Sequence, residues 1–164
     1  MGRIIYEERL FSRWITLMLG VVTLLMLWQV TRQLQGGSPA DGAPSWLLPL
    51  MLLLFALLTI NFAWLTIRFT DEEAVIGYGV LRSRIRWQDI LDCYPDDASV
   101  GRYGGWGIRF GSYNGRRRLI YNTISDPRVV LHVSGTSFPE LVFSTAQPED
   151  VVNWVREHLR SLKR

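Results

Sequence analysis

The chain has few residues of the kinds that bind metals or form disulfides. It contains 164 residues, among them one cysteine, Cys93, and two histidines, His132 and His158. A single cysteine excludes a disulfide within the chain and fits a reducing compartment. Neither histidine has cysteine or acidic residues at the spacing of metal ligands. We therefore expect neither a metal nor another cofactor.

Motifs of catalysis and of nucleotide binding are absent as well. Gly101, Gly104, Gly105 and Gly107 are spaced G-x-x-G-G-x-G, which differs from phosphate-binding loops, and they precede a predicted strand instead of a helix. No G-x-S-x-G nucleophile motif occurs. The net charge of +3 does not reflect the dense basic stripe of a nucleic-acid binder. The sequence thus predicts a protein that is not an enzyme and has no nucleic-acid partner.

Charged residues are also missing from two long apolar segments, residues 14–30 and 46–67. A helix that crosses a membrane takes about 20 apolar residues. Tryptophans, which concentrate at the two membrane surfaces, bracket both segments. The pattern predicts a transmembrane helix at 14–30, an external loop at 31–45 and a second transmembrane helix at 46–67. For the first segment the alternative is a signal peptide, with Ser38-Pro39-Ala40 as the region of cleavage.

Basic residues near the apolar segments indicate the orientation. Those on the outer sides of the two segments are Arg3, Arg9, Arg13 and Arg68, whereas the loop 31–45 contains only Arg32. The positive-inside rule places both termini in the cytoplasm. We expect a multi-pass protein of the inner (cytoplasmic) membrane, with the lipid bilayer as a partner and residues 1–13 as a cytoplasmic N-terminal segment.

One strongly polar residue, Asn61, lies in the second apolar segment. An amide group in lipid needs a hydrogen-bond partner, and such bonds form between helices. The partner lies either on a helix of a second protomer or within the hairpin, on Gln29 or a threonine. Asn61 is therefore a candidate interhelical contact.

The periodicity changes near residue 67. Short runs of β-branched and aromatic residues alternate with turn residues, which is typical of strands. The predicted strands are Leu65–Thr70, Ala74–Tyr78, Leu81–Trp87, Ile90–Tyr94, Trp106–Phe110, Arg117–Asn122, Arg128–Val133 and Leu141–Ser144. Residues 65–67 fall both in the first of these and in the second apolar segment. Asn114-Gly115 is a strong signal for a type I′ hairpin turn.

The chain ends in a predicted amphipathic helix. Pro148 suits the first helical position, and Val151, Val155 and Leu159 recur at helical spacing. The predicted fold is a transmembrane α-hairpin followed by an α+β domain at residues 68–164. In that domain an antiparallel β-barrel or sandwich of about seven strands is capped by the C-terminal helix.

Several segments in order carry a resemblance to a known family. They are the Gly77-Tyr78-Gly79 turn before a basic strand, the Trp87-Gln88-Asp89-Ile90 junction, the segment 103–109 and the final helix. Residues 69–159 resemble the bacterial pleckstrin-homology (bPH) family, whose small PH-like domains are often anchored by a transmembrane hairpin. The resemblance implies a PH-like fold and a binding or scaffolding module, often oligomeric, without catalytic residues.

Two groups of arginines are candidate contacts to an anionic surface. Arg82, Arg84 and Arg86 alternate with mostly apolar residues, so they share one face of a strand. Arg116, Arg117 and Arg118 lie at a hairpin tip. Near an anionic cytoplasmic leaflet, each basic residue gains about 1 kcal/mol. The alternatives are the solvated outer face of a half-buried strand and a charged turn that aids solubility.

Two functions follow from these features. The first is a membrane-anchored, non-enzymatic scaffold or interaction module that binds a protein partner, such as another membrane protein, or itself as a homo-oligomer. The second is a sensor of anionic lipid headgroups at the cytoplasmic leaflet. Both use the same anchor, and they differ in whether the arginine clusters contact lipid.

Overall fold

The structure is a computed structural model that describes residues 2–36, 44–99, 103, 105–124 and 126–162. The helices are α1 (Arg13–Leu34), α2 (Leu47–Phe62) and α3 (Pro148–Leu162). The strands are β1 (Ile4–Phe11), β2 (Trp64–Thr70), β3 (Glu73–Tyr78), β4 (Leu81–Arg86), β5 (Ile90–Pro95), β6 (Gly107–Tyr113), β7 (Arg116–Asn122), β8 (Arg128–Val133) and β9 (Glu140–Ser144). The chain divides into a helix unit, Ser12–Ala63, and a β unit, Met1–Phe11 with Trp64–Arg164.

In the helix unit, α1 and α2 lie antiparallel and contact each other. The Ser12 N–H donates to the Ala63 carbonyl at 2.9 Å, and the Gln33 amide donates to the Ser45 carbonyl at 3.1 Å at the other end. Among the described helices, α1 has the length and composition to cross a membrane, as a signal sequence near an N-terminus also does, and α2 is apolar but has only 16 residues. A membrane crossing by either helix stays a prediction.

The second apolar segment forms a shorter helix than predicted. Helix α2 ends at Phe62, and the chain enters β2 at Trp64. Leu65 and Ile67 are completely buried in the β unit. The prediction that the helix extends to residue 67 is wrong, because these residues alternate with the period of a strand and fill the core of the sheet.

The first sheet is antiparallel, with the order β1-β2-β3-β4. Its edge strand β1 was not predicted from the sequence, which indicated only a cytoplasmic N-terminal segment at residues 1–13. The pairing joins Phe11 to Trp64 at one end of β1 and Glu7 to Arg68 near its middle. The alternation in β1 is interrupted by charged residues, and its partner comes more than 50 residues later in the chain, so no local signal revealed it.

The second sheet has the order β5-β8-β9-β7-β6 and is mixed. All its neighbours pair antiparallel except β7 and β9, which pair parallel. The expected antiparallel arrangement is therefore wrong at this pair, because β9 turns back along β8 and so enters beside β7 in the same direction. The described residues form nine strands, which are β1 and the eight strands predicted individually, whereas the expected fold has about seven.

The remaining elements agree with the sequence prediction. Strands β2 to β9 lie within a few residues of the predicted runs, and α3 begins at Pro148. Asn114 and Gly115 have φ angles of 50° and 78°, as a type I′ turn requires. Two predicted features, the cleavage region Ser38-Pro39-Ala40 and the glycines Gly101 and Gly104, lie outside the described residues.

Helix α3 covers the core of the β unit. Val151, Val155 and Leu159 are buried. The Trp154 ring stacks on Phe69 of β2 at 5.1 Å, and the Trp87 ring meets Phe69 edge-on at 5.5 Å. These aromatic side chains bury a large apolar area each and fix the helix on the sheet.

Candidate functional site

The structure brings Arg82, Arg84 and Arg86 together, as the sequence predicted. All three are exposed on one face of β4, and Ile85 between them is buried. Two of the three have acidic neighbours. Arg84 Nη1 lies 3.7 Å from Glu73 Oε1, and Arg86 Nε lies 3.0 Å from Asp89 Oδ2. The positive charge of this face is therefore partly neutralised within the β unit.

The second arginine group is divided between two faces of its sheet. Arg117 lies on one face, where its guanidinium covers the Phe138 ring at 4.9 Å. Arg116 and Arg118 lie on the other face and contact Glu140. The side chain of Arg118 is only 3% exposed. Its assignment as a contact to an anionic surface is wrong, because alternate residues of a strand share a face, and Arg118 faces inward, where it binds the buried Glu140 carboxylate.

Arg118 belongs to a buried ionic cluster made of Asp96, Arg118, Arg128 and Glu140. Its Nε lies 2.5 Å from Glu140 Oε2, and its Nη1 lies 2.9 Å from Asp96 Oδ1. Arg128 Nε lies 3.0 Å from Asp96 Oδ2. None of the four side chains is more than 7% exposed. With two cations and two anions the ionic cluster is neutral, which removes much of the cost of burying charge.

Tyrosine hydroxyls also donate hydrogen bonds to the carboxylates of the ionic cluster. Tyr94 donates to Glu140 Oε1 at 3.0 Å, and Tyr103 donates to Asp96 Oδ1 at 3.2 Å. Arg118 also donates to the Tyr103 hydroxyl. These bonds hold the segment after β5 against the face of the second sheet, where Ile120, Val130 and Val142 and the Tyr103 ring form a small apolar core.

The hydrogen bonds of the ionic cluster keep the Glu140 carboxylate charged. Burial by itself would raise the pKa of Glu140, but hydrogen bonds from Arg118, Tyr94 and Arg116 outweigh it, and the net shift is downward. For Tyr94 the pKa is raised by burial and by its hydrogen bond to the Glu140 carboxylate. At neutral pH, Glu140 is therefore an anion that accepts hydrogen bonds, and it is not poised to exchange protons.

A cavity of about 360 Å³ opens beside the ionic cluster. Its lining consists of Tyr94, Asp97, Tyr113, Asn114, Arg116, Arg118 and Glu140. The volume is in the range of small-molecule sites. However, the charges of Arg118 and Glu140 in its wall already satisfy each other. Among the described residues, no group of histidine, cysteine and acidic side chains has an arrangement that would hold a metal ion.

Most of the exposed large apolar side chains of the described residues lie in the helix unit. In α1 only Ile15 is buried, and in α2 no residue is. Leu24, Leu57 and Ile60 are 65%, 56% and 68% exposed. Soluble proteins rarely expose contiguous apolar surface on this scale, and such surfaces mark contacts to a membrane or to another protein.

The two helices also share a polar contact. The Thr23 and Thr59 hydroxyls lie 3.1 Å apart across the pair. Asn61, the predicted interhelical contact, is half-buried two residues further along α2. The role of Asn61 as an interhelical contact stays a prediction, and the Thr23–Thr59 bond was not predicted.

Sequence reasoning also missed the ionic cluster. Asp96 lies just after the predicted strand Ile90–Tyr94, and Glu140 precedes the predicted strand Leu141–Ser144. Arg118 and Glu140 are paired across the parallel strands β7 and β9. Only the strand order, which the sequence pattern does not determine, places them together.

Comparison with known proteins gives no match: no protein-family model, no curated protein and no solved structure is similar enough to this chain to be assigned. The resemblance to the bPH family therefore rests on the sequence segments alone and stays a hypothesis.

Proposed function

We propose that this protein is a membrane-anchored, non-enzymatic interaction module, in which the helix unit holds the β unit at the cytoplasmic face of the inner membrane. The observation that carries the proposal is the apolar outer surface of α1 and α2. Of the residues in these two helices, only Ile15 is buried. Lipid is the natural environment for a helix pair that is apolar all round.

The pairing of β1 with β2 supports a double crossing. Chain residues 12–63 connect these two neighbouring strands, and Phe11 pairs directly with Trp64. Two paired strands lie on the same side of a membrane, so the segment between them crosses an even number of times. If α1 crosses, α2 must return. The 16 residues of α2 span about 24 Å, less than the hydrocarbon thickness of about 30 Å. A mismatch of this size costs a fraction of a kcal/mol per Å.

The same pairing argues against a cleaved signal peptide. Cleavage near Ser38-Pro39-Ala40 would remove β1 together with α1, and β2 would lose its partner along seven residue pairs. An unprotected edge strand invites aggregation. Retention of the first apolar segment is therefore part of the proposal.

For the β unit we propose a PH-like domain that serves as the interaction module. Two sheets followed by a C-terminal helix agree with that architecture, and the parallel pairing of β7 with β9 departs from an all-antiparallel arrangement. A protein partner is favoured over a lipid headgroup, because Arg118 is buried in the ionic cluster and Arg84 and Arg86 have acidic neighbours.

Labelling of single cysteines tests the topology. Native Cys93 is buried, which raises its pKa to about 12 and keeps it unreactive toward maleimides. In intact cells, an impermeant maleimide should label Gly36→Cys but neither Ile5→Cys nor Ser137→Cys. After permeabilisation, all three should react. Labelling of Ile5→Cys and Ser137→Cys from opposite sides would overturn the double crossing. Release of the protein from membranes by alkaline carbonate would overturn the anchor.

A further inference from the structure

The two sheets have four edge strands, β1, β4, β5 and β6, and three of them are protected. Strand β4 carries Arg82, Arg84 and Arg86, which repel a second copy of themselves. Strand β5 ends in Pro95, and Arg156 of α3 lies 3.4 Å from Asp92. Charged side chains, proline and a covering helix are the usual means of preventing edge-to-edge pairing.

Strand β1 is protected by both charge and coverage. It contains two glutamates and an arginine within three consecutive positions. Glu8 accepts hydrogen bonds from the Thr145 hydroxyl at 2.6 Å and from the Ala146 N–H at 2.7 Å. The segment that leads into α3 is therefore hydrogen-bonded to a side chain of this strand.

Strand β6 has less protection than the other three edge strands. It contains one charged residue, Arg109, and no proline. In the described part of the chain no strand pairs with its outer side. Its central residue, Phe110, is 71% exposed, and the Phe110 ring lies 5.1 Å from Phe138. An open edge with an exposed aromatic residue at its centre is the signature of a strand that pairs with another chain.

We propose that β6 pairs antiparallel with β6 of a second copy of this chain, with Phe110 on the two-fold axis. The inference deepens the proposed function, on which it rests, by naming the partner. It makes the second sheet continuous across a closed, isologous dimer.

The residue pattern of β6 favours self-pairing over a foreign strand. Because Phe110 is the middle of Gly107–Tyr113, full overlap of two copies places it opposite itself. The other pairs are then Gly107 with Tyr113, Ile108 with Ser112 and Arg109 with Gly111. Each large side chain opposes a small one, and the single charge does not face its own copy. Phe110 alone opposes an equal, and aromatic pairs across strands are stabilising.

The surface next to Phe110 extends the same contact. Phe138 lies beside it, and Arg117 covers Phe138. Anchoring of both copies in one membrane raises their effective concentration, so a contact of one strand and its neighbouring side chains suffices.

Substitution at the axis tests the dimer. The full chain in lipid nanodiscs, or in mild detergent, should be a dimer by light scattering. Phe110→Asp should convert it to a monomer without loss of secondary structure by circular dichroism, because Phe110 is exposed. The matched control is Val80→Asp, which introduces the same charge at a residue 88% exposed on the β3–β4 turn and should leave the dimer intact. A monomeric wild type, or a dimeric Phe110→Asp variant, would overturn the proposal.

Mixed cysteine variants test the register. Ile108→Cys mixed with Ser112→Cys should give a disulfide-linked dimer on mild oxidation, because the register places these positions opposite each other. Either variant alone should give at least tenfold less, since two copies of the same position lie about 13 Å apart along the strands. Strong crosslinking of Ile108→Cys alone would contradict the register. Flotation of the same samples with liposomes reports the anchor separately, so a failed dimer and a failed anchor are distinguishable.

Discussion

The helix unit and the β unit distribute apolar and charged residues in opposite ways. In the helix unit, leucines such as Leu24 and Leu57 point outward, and Ile15 is the one buried residue of α1 and α2. In the β unit, apolar side chains fill the core, and four charged side chains are buried with them as the ionic cluster. A single rule, that apolar residues lie inside, describes the second unit and fails for the first.

Under the proposed membrane anchor, the difference corresponds to two solvents, water around the β unit and lipid around the helix unit. Where water surrounds a unit, exposed leucines are costly and buried charges need partners. Where lipid surrounds it, exposed leucines cost nothing, and the polar groups become the ones that seek partners, as Thr23 and Thr59 do. The cost of a substitution should therefore depend on the unit in which it lies as well as on the exposure of the residue.

The largest effect is expected inside the β unit. Arg118→Met would leave Glu140 and Asp96 buried without their shared cation, at a cost of about 3–5 kcal/mol. That loss is a large part of the stability of a small domain. Urea unfolding of the full chain in detergent, followed by tryptophan fluorescence, measures it.

The control for this substitution is Arg116→Met. Arg116 also contacts Glu140, but its side chain is 54% exposed, so the cost should stay below about 1 kcal/mol. Equal unfolding midpoints for the two variants would mean that burial of the ionic cluster does not matter to stability.

The next effect concerns the helix unit. Leu24 lies at the middle of α1 and is 65% exposed. On a surface in water, Leu24→Asp would change stability by about 0.5 kcal/mol or less. At the centre of a membrane helix it should cost about 2.5–3.5 kcal/mol. We expect a clear drop in the membrane-inserted fraction, measured by carbonate extraction.

Leu34→Asp provides the matched comparison. Leu34 is even more exposed, at 81%, but it is the last residue of α1, where a charge lies in the interface. Its membrane fraction should equal that of the wild type. Equal membrane fractions for Leu24→Asp and Leu34→Asp would contradict the proposal that lipid surrounds the helix unit and water the β unit.

A smaller effect is expected from pH. Glu140 titrates at about its ordinary value of 4.5 when the chain is unfolded, and its pKa is lower in the folded state. The folded state binds fewer protons, so this contribution to stability is complete above pH 4.5 and is lost as the pH falls through the folded pKa. Thermal unfolding between pH 6 and pH 3 should show a steeper loss for the wild type than for Glu140→Gln. Parallel curves would exclude a role of the Glu140 charge.

The two units also differ in how far the sequence predicted them. Periodicity and turn residues predicted β2 to β9 and α3, because each depends on neighbours in the chain. The end of α2 was wrong, since Leu65 and Ile67 suit a membrane helix and a buried strand equally well. Strand β1 and the pairing of Arg118 with Glu140 were missed, because both depend on contacts between distant segments.

The smallest effect is expected at the contact between the two helices. The Thr23 hydroxyl donates to the Leu19 carbonyl and the Thr59 hydroxyl to the Phe55 carbonyl, both at 2.7 Å, and the two hydroxyls also lie 3.1 Å apart. Two hydroxyl protons serve three contacts, so the bond between the helices competes with bonds inside each helix. The coupling energy from a double-mutant cycle of Thr23→Val and Thr59→Val, measured by unfolding in SDS, should be about 0.6 kcal/mol or less. A coupling of about 2 kcal/mol would mean that this bond holds the helices together. In that case polar contacts would be the main source of stability in both units, and the two units would differ only in the exposure of their apolar residues.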